Sequence, residues 1–249
     1  TDVDVVLGGH VHETRLDRVD GTVLTRPGAN GRRLVELQFA GGEWTGVHHD
    51  VTDAPVDRAV ANALRDRRAG ADLDAVVATA EAPIERSGDP VYGGPCRVGR
   101  LIAEAYRRTT GADVGLQNSG GIRSGPPLSG AVRAVDLVSL VPFEEPVAVL
   151  ELSGRALRAV LAERNGRNVA PAPDDRWMGH ASGIDDGEQL RVAGDPVDPE
   201  ETYTLATSDY LRHPHGEFPT LAGRDPIETT DRTQYELLVA YARDVSELP

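Results

Sequence analysis

Asn118-Ser119-Gly120-Gly121-Ile122-Arg123, followed later by Pro142-Phe143, gathers the side chains of this chain best suited to ligand chemistry. The Asn118 amide offers both donors and acceptors. The Arg123 guanidinium is a permanently charged fork suited to phosphate or carboxylate. Gly120 and Gly121 allow the backbone to approach a ligand without side-chain clash. Phe143 adds an aromatic face just past the proline that stops the 135–141 run. An amide, a guanidinium and a ring converging on a glycine-opened pocket is a recipe for holding a nucleotide. Taken alone, the same residues also fit a common turn, a surface charge and a core phenylalanine, because short motifs recur by chance.

A second group stands near the start. Residues 3–7 read as an apolar strand that delivers Gly8-Gly9-His10-Val11-His12-Glu13. Two histidines one residue apart can face a single metal centre if the backbone leaves strand geometry there, which the glycines permit. Two solvated histidines on a polar turn are the alternative.

The elements that must position these groups follow from periodicity and capping. Asp113 to Gln117 reads as a short buried strand running into the Asn118 turn. Helices are expected near Arg97–Thr109, over Gly154–Glu163 with Ser153 as N-cap, and near Thr233–Glu247. Another is expected over Asp53–Leu73, with Asp53 as N-cap and Val56, Val60, Ala63 and Leu64 at helical spacing. Residues 1–52 read as strands and turns, with an alternating strand over 34–39. Pro171–Asp174 and Pro196–Pro199 read as loops.

Several separated segments then occur in one order. They are Val98-Gly99-Arg100-Leu101-Ile102-Ala103-Glu104-Ala105, Thr110-Gly111-Ala112-Asp113, the Asn118 turn, Pro142-Phe143 and Val149 to Leu157. Ser182-Gly183, Gly194 to Asp198 and Tyr203 to Leu211 follow. Together they resemble the C-terminal domain of the 5'-nucleotidase family, which also includes UDP-sugar hydrolases and periplasmic cyclic-nucleotide phosphodiesterases. Gly8 to His12, with Arg26 to Gly31 after it, is similar to the last metal-binding motif of calcineurin-like metallophosphatases. That fold forms the N-terminal domain of the same family.

The resemblance implies an α+β protein in three parts. Residues 1–52 would be the β-rich remnant of a four-layer metallophosphatase domain, 53–74 a linker helix about which domains rotate, and 75–249 a mixed α/β substrate-binding domain. It implies a metal-dependent phosphoester hydrolase acting on a nucleotide or nucleoside-diphosphate sugar, using two divalent metal ions with His10 and His12 among their ligands. Phe143 and Tyr210 would clamp the base and Asn118 would bond the base or ribose side. Arg123 would hold a phosphate or bound carboxylate, with Gly120 and Gly121 opening the pocket. Glu217 would stand in for the ribose-binding aspartate of a Gly-Gly-Asp-Gly-Tyr loop, replaced here by Pro214-His215-Gly216-Glu217-Phe218. Glu144-Glu145 after Phe143 also depart from the family pattern. A further family arginine has no clean counterpart, although Arg97 and Arg100 lie close and Tyr92 stands roughly in its place.

The family's other metal motifs (Asp-x-His, Gly-Asp-x-x-Asp, Gly-Asn-His-Glu and a lone histidine) have no counterpart in this sequence. The chain is therefore expected to be a piece of a longer protein, lacking an N-terminal metallophosphatase segment and inactive by itself. Its compartment is open, with an extracytoplasmic or cell-surface place implied by the family. A non-catalytic nucleotide- or ligand-binding module is the alternative.

Composition narrows the partners. The net charge is −14, and all 26 basic residues are arginine. That acidity argues against a nucleic acid polymer or an anionic membrane as partner. It reads as adaptation to high salt, or as the mark of a GC-rich genome. No apolar run reaches membrane-spanning length. Cys96 stands alone, so no intrachain disulfide exists, and it reads as a small buried side chain. His180, His213 and His215 read by default as solvated loop histidines, with a place lining the cleft as the alternative.

Overall fold

A computed structural model describes residues 3–167, 176–214 and 216–249. Thr1, the Pro171–Asp174 loop and His215 lie outside the described residues. The chain divides into two compact units, 1–66 and 67–249.

In the first unit, β1 (Val5–Leu7), β2 (Thr14–Val19) and β3 (Thr22–Pro27) form a sheet in the order β1-β3-β2. β4 (Arg33–Ala40) and β5 (Glu43–Asp50) form a hairpin. Among the described residues of this unit only Val23 and Thr25 are buried, while Leu7, Leu34, Phe39 and Val47 are exposed. Such a core is thin for five strands.

The helix α1 (Arg58–Gly70) begins later than the sequence suggested. Asp57, and not Asp53, caps it: its Oδ1 accepts from the backbone N–H of Ala59 at 2.8 Å and Val60 at 3.2 Å. That serves two of the donors a helix start leaves unpaired. The expected apolar stripe is not buried, since no residue of α1 is buried and Val60 and Leu64 are exposed.

The second unit runs β6 (Val76–Ile84), α2 (Gly88–Gly93), α3 (Arg97–Thr110), β7 (Val114–Asn118), β8 (Leu128–Arg133) and α4 (Ala134–Val138). It continues with β9 (Pro146–Ser153), α5 (Gly154–Glu163), β10 (Gly179–Ser182), β11 (Ile184–Asp185), β12 (Arg191–Val192) and β13 (Asp195–Pro196). It closes with β14 (Thr202–Ser208), β15 (Glu228–Thr233) and α6 (Gln234–Val245). The expected 196–199 loop thus starts inside a short strand, β13, paired with β12.

The five-stranded sheet has the order β10-β7-β14-β9-β15, with β7 and β14 parallel and the other neighbours antiparallel. Side chains alternate between its faces, so it separates two cores. Val114, Leu116, Leu150, Leu152 and Leu205 pack with Leu157 and Val160 of α5. Val147, Val149 and Ala206 pack with Leu101, Ile102 and Tyr106 of α3 and with Leu237 and Leu238 of α6. Each fully buried leucine contributes about 1.5–3 kcal/mol relative to exposure. Every residue of β7 is buried, as a strand paired on both edges and covered on both faces must be.

One cap read from sequence, Ser153, recurs here. Ser153 Oγ accepts from Ala156 N at the start of α5. Thr233 and Glu236 close a reciprocal capping box at the start of α6.

Candidate functional site

One edge of the sheet collects several of the groups singled out above. Parallel strands carry their following loops out on the same side, which is where open α/β sheets hold ligands. β7 ends there on Asn118 and β14 on Ser208. The antiparallel β9 begins there: Val147 pairs with Ser208, so Phe143, Glu144 and Glu145 enter from the same edge. Gly179 of β10 pairs with Asn118. The short 3₁₀ turns Ser119–Gly121 and Asp209–Arg212 leave the two parallel strands.

Asn118 is buried, and its Nδ2 donates to Glu217 Oε2 at 2.9 Å. A Cβ on Gly121 would lie 2.4 Å from Gln117 Nε2 and 2.6 Å from Asn118 Oδ1, so this glycine makes room for the protein's own amides. The corresponding point on Gly120 lies 3.6 Å from both Asn118 Nδ2 and Glu217 Oε1. Tyr210 stands beside them, half-buried, its hydroxyl pushed up by burial and by the Glu217 and Glu145 carboxylates. Asn118, Gly120, Gly121, Glu217 and Tyr210 therefore form one cluster.

Phe143 and Arg123 are placed differently. Phe143 packs against the α3/α6 core, whereas Tyr210 packs against the α5 core, so the rings flank the sheet from its two faces. The backbone N–H of Arg123 donates to Leu140 O at 2.9 Å. Its side chain is exposed and makes no hydrogen bond or ion pair among the described residues.

His180 corrects an expectation. It is a fully buried residue of β10, and not a solvated loop histidine. Its Nε2 lies 3.1 Å from Ser119 Oγ, and the backbone N–H of Cys96 donates to its Nδ1 at 3.4 Å. Ser119 Oγ in turn donates to Val91 O. Nδ1 is thus the unprotonated nitrogen and Nε2–H the donor. Burial, reinforced by Arg164, lowers its pKa to about 4. His213 does lie on an exposed turn, 3.7 Å from Asp209. Cys96 is half-buried beside His180, its thiol pushed up by burial.

Arg97 does not reach this edge; it donates to the carbonyls of Pro249 at 2.7 Å and Ala82 at 2.8 Å. Arg100 is exposed. The ring of Tyr92 carries the Arg176 guanidinium 3.9 Å from its centroid. Tyr106, Gln117 and Gln234, three buried polar residues behind Asn118, were not anticipated as part of the site. The signal was there in Gln117, a lone amide ending a strand otherwise read as buried.

In the first unit, His10 takes a left-handed backbone conformation (φ 62°), so the chain does leave strand geometry after β1. Both His10 and His12 are exposed. His12, Thr14, Asn30, Arg32, Arg33 and Asp50 help line a cavity of about 560 Å³. Among the described residues no group of three or more His, Cys, Asp or Glu side chains could hold a metal ion. Two histidines fall short of the four to six ligands a divalent ion takes. The described residues therefore do not by themselves make a metal centre.

A family profile described as "5'-nucleotidase, C-terminal domain" matches residues 76–223, more than half of the chain. The chain belongs to the 5'-nucleotidase C-terminal domain family. It is 26% identical over 184 residues to the protein UshA of Escherichia coli K12, covering 72% of the chain and 32% of UshA. An apyrase from Tabanus yao is 25% identical over 194 residues, covering 66% of the chain and 35% of the apyrase. A 5'-nucleotidase precursor from Thermus thermophilus shares the fold with a TM-score of 0.69 at 22% identity, covering 99% of the chain and 57% of that structure. The chain thus spans about a third of the length of these curated relatives. No helix among the described residues is long and apolar enough to cross a membrane.

Proposed function

We propose that this chain is the substrate-holding part of a metal-dependent phosphoester hydrolase acting on nucleotides, of the 5'-nucleotidase, UDP-sugar hydrolase or cyclic phosphodiesterase type. The observation that carries the reading is the Asn118–Glu217 pair, at 2.9 Å, set beside Tyr210 where two parallel strands end. A sugar hydroxyl accepts from an amide N–H and donates to a carboxylate, which this pair offers together. Tyr210 supplies a ring for the base, worth about 1–3 kcal/mol by stacking, and Phe143 closes from the opposite face. Gly120 keeps the floor open, while Gly121 makes room for the amides of Gln117 and Asn118. Arg123, exposed and uncommitted among the described residues, meets the phosphate.

Residues 1–52 are assigned to the edge of a metallophosphatase domain, 53–74 to a linker helix and 75–249 to the substrate domain. The exposed Leu7, Leu34, Phe39 and Val47 support the first assignment, since a unit this thin buries little by itself. In the whole enzyme His10 and His12 would supply two of the ligands of a divalent metal centre, whose chemistry would be to polarise the phosphate and activate water. This chain alone holds nucleotide without hydrolysing it. A place outside the cytoplasm and tolerance of high salt go with the reading.

Calorimetric titration of adenosine, AMP and a UDP-sugar into the purified chain tests it. Binding of at least one is expected; binding of none would overturn the reading and favour a non-catalytic module for another ligand. The acidic Glu144 and Glu145 beside Phe143 are what keep that second reading in view.

A further inference from the structure

Behind Asn118 lies a chain of buried amides and one phenol. Tyr106 and Gln117 are fully buried and Gln234 is 1% exposed. The Tyr106 hydroxyl sits 2.8 Å from Gln117 Oε1 and 2.9 Å from Gln234 Oε1. Gln117 Nε2 donates to the backbone carbonyl of Asn118 at 2.9 Å and to Asn118 Oδ1 at 3.0 Å. At the far end, Gln234 Nε2 donates to Ser208 Oγ at 3.2 Å and Glu145 Oε2 at 3.3 Å.

Side-chain amides can turn over, so their orientation must be argued from groups that cannot. The Asn118 backbone oxygen is such a group: it only accepts, so the Gln117 NH₂ must face it. The Gln117 oxygen then faces Tyr106, which has a proton to give. Asn118 Oδ1, lying next to the same NH₂, is turned inward. Its own NH₂ is left pointing outward at the Glu217 carboxylate, which also only accepts. Two fixed acceptors, one at each end, leave a single consistent arrangement.

We infer that Gln117, held by Tyr106, is a positioning residue that fixes the Asn118 amide with its NH₂ toward the ligand, so that the site offers a donor beside a carboxylate and selects hydroxyl-bearing ligands. The inference rests on the reading above that Asn118 meets the ligand. It extends that reading to residues buried out of the ligand's reach.

The Tyr106 hydroxyl has one proton for two amide oxygens, so it secures either Gln117 or Gln234 at a given moment. Gln117 reaches the Asn118 backbone carbonyl either way, but its hold is looser while the phenol serves Gln234. Loss of the Gln117 amide removes that hold and frees the Asn118 amide to turn.

The test uses Gln117→Met in the full chain, with two readouts. The first is the ¹⁵N-resolved side-chain NH₂ signal of Asn118, identified by its loss in Asn118→Asp. In the unaltered protein one pair of signals is expected, shifting when Glu217 is changed to Gln. In Gln117→Met the pair should broaden or double and its response to Glu217→Gln should shrink. A single pair with the original response would overturn the inference. The second readout is adenosine affinity, expected to fall at least tenfold in a variant that remains folded; unchanged affinity would also overturn it. If the unaltered protein binds no nucleoside, the functional reading fails, while the amide signals still decide this point. Should Gln117→Met not fold, Tyr106→Phe gives a milder broadening of the Asn118 signal, and a sharp unchanged signal there counts against the inference.

Discussion

Gly99 of α3 and the ring of His180 claim one volume: a Cβ on Gly99 would lie 2.0 Å from His180 Cγ and 2.3 Å from Cδ2. The glycine lets the start of α3 close over the buried ring, whose Nε2 reaches Ser119 in the turn after Asn118. Gly99→Ala should therefore push helix and strand apart and cost about 1–3 kcal/mol, the range of overpacked cores. Urea unfolding measures it. Pairing it with His180→Ala should recover part of the loss, because the two changes act on one contact; strict additivity would show that the crowding is relieved elsewhere.

The same histidine sets a pH dependence. Its pKa in the fold, about 4, lies below the ordinary 6.5, chiefly through burial. The unfolded chain therefore binds the extra proton first. Stability from keeping this ring neutral is complete above pH 6.5 and falls as pH drops toward 4, by up to about 3 kcal/mol. His180→Gln should be clearly less stable than the parent at pH 7, with the gap narrowing toward pH 4.5. Parallel stability curves across that window would remove the argument.

On the proposed reading, Arg123 would separate phosphate from nucleoside. Arg123→Ala should weaken AMP about tenfold, consistent with the roughly 1.5–3 kcal/mol of a hydrogen bond to a charged group. Adenosine should bind as before. Titration of both ligands into both proteins checks this, and an equal loss for the two would place Arg123 elsewhere in recognition.

Thr233 caps α6 while Glu236 returns to the Thr233 backbone N–H at 2.8 Å. Thr233→Ala should cost about 1 kcal/mol and loosen the entry to Gln234. Chemical denaturation gives the first quantity and amide hydrogen exchange at 234–237 the second.

The lysine-free surface with its charge of −14 calls for a salt test. Self-repulsion among carboxylates is screened within about 3 Å at 1 M salt. The melting temperature should rise between millimolar and molar KCl, and a flat profile would leave genome composition as the account.

Much of the scaffold could be read from the chain. The apolar 114–116 stretch, the α3 and α6 periodicities and the Ser153 cap are local signals, and local signals survive folding. What escaped was non-local. His180 looked like a loop residue because only its pairing with Gln117 across β10 and β7 takes it inside. The Tyr106–Gln234 contact spans 128 positions, and no spacing rule reaches so far. Asp57 displaced Asp53 as the cap because both are good caps and only the observed helix start discriminates. Of the site, Asn118, its glycines, Tyr210 and Glu217 were legible as candidates, while the opposed cores that Tyr210 and Phe143 pack against appear only in the fold.

The side-by-side ending of β7 and β14 bears on how such chains diversify. Leu211 and Phe218 are both anchored inside, and the residues between them include Glu217. On the proposed reading, exchanging that short stretch would alter the cargo while the leucines beneath keep their neighbours. If so, lineages would drift to new metabolites by editing a rim, with the scaffold passing unchanged from one specialist to the next.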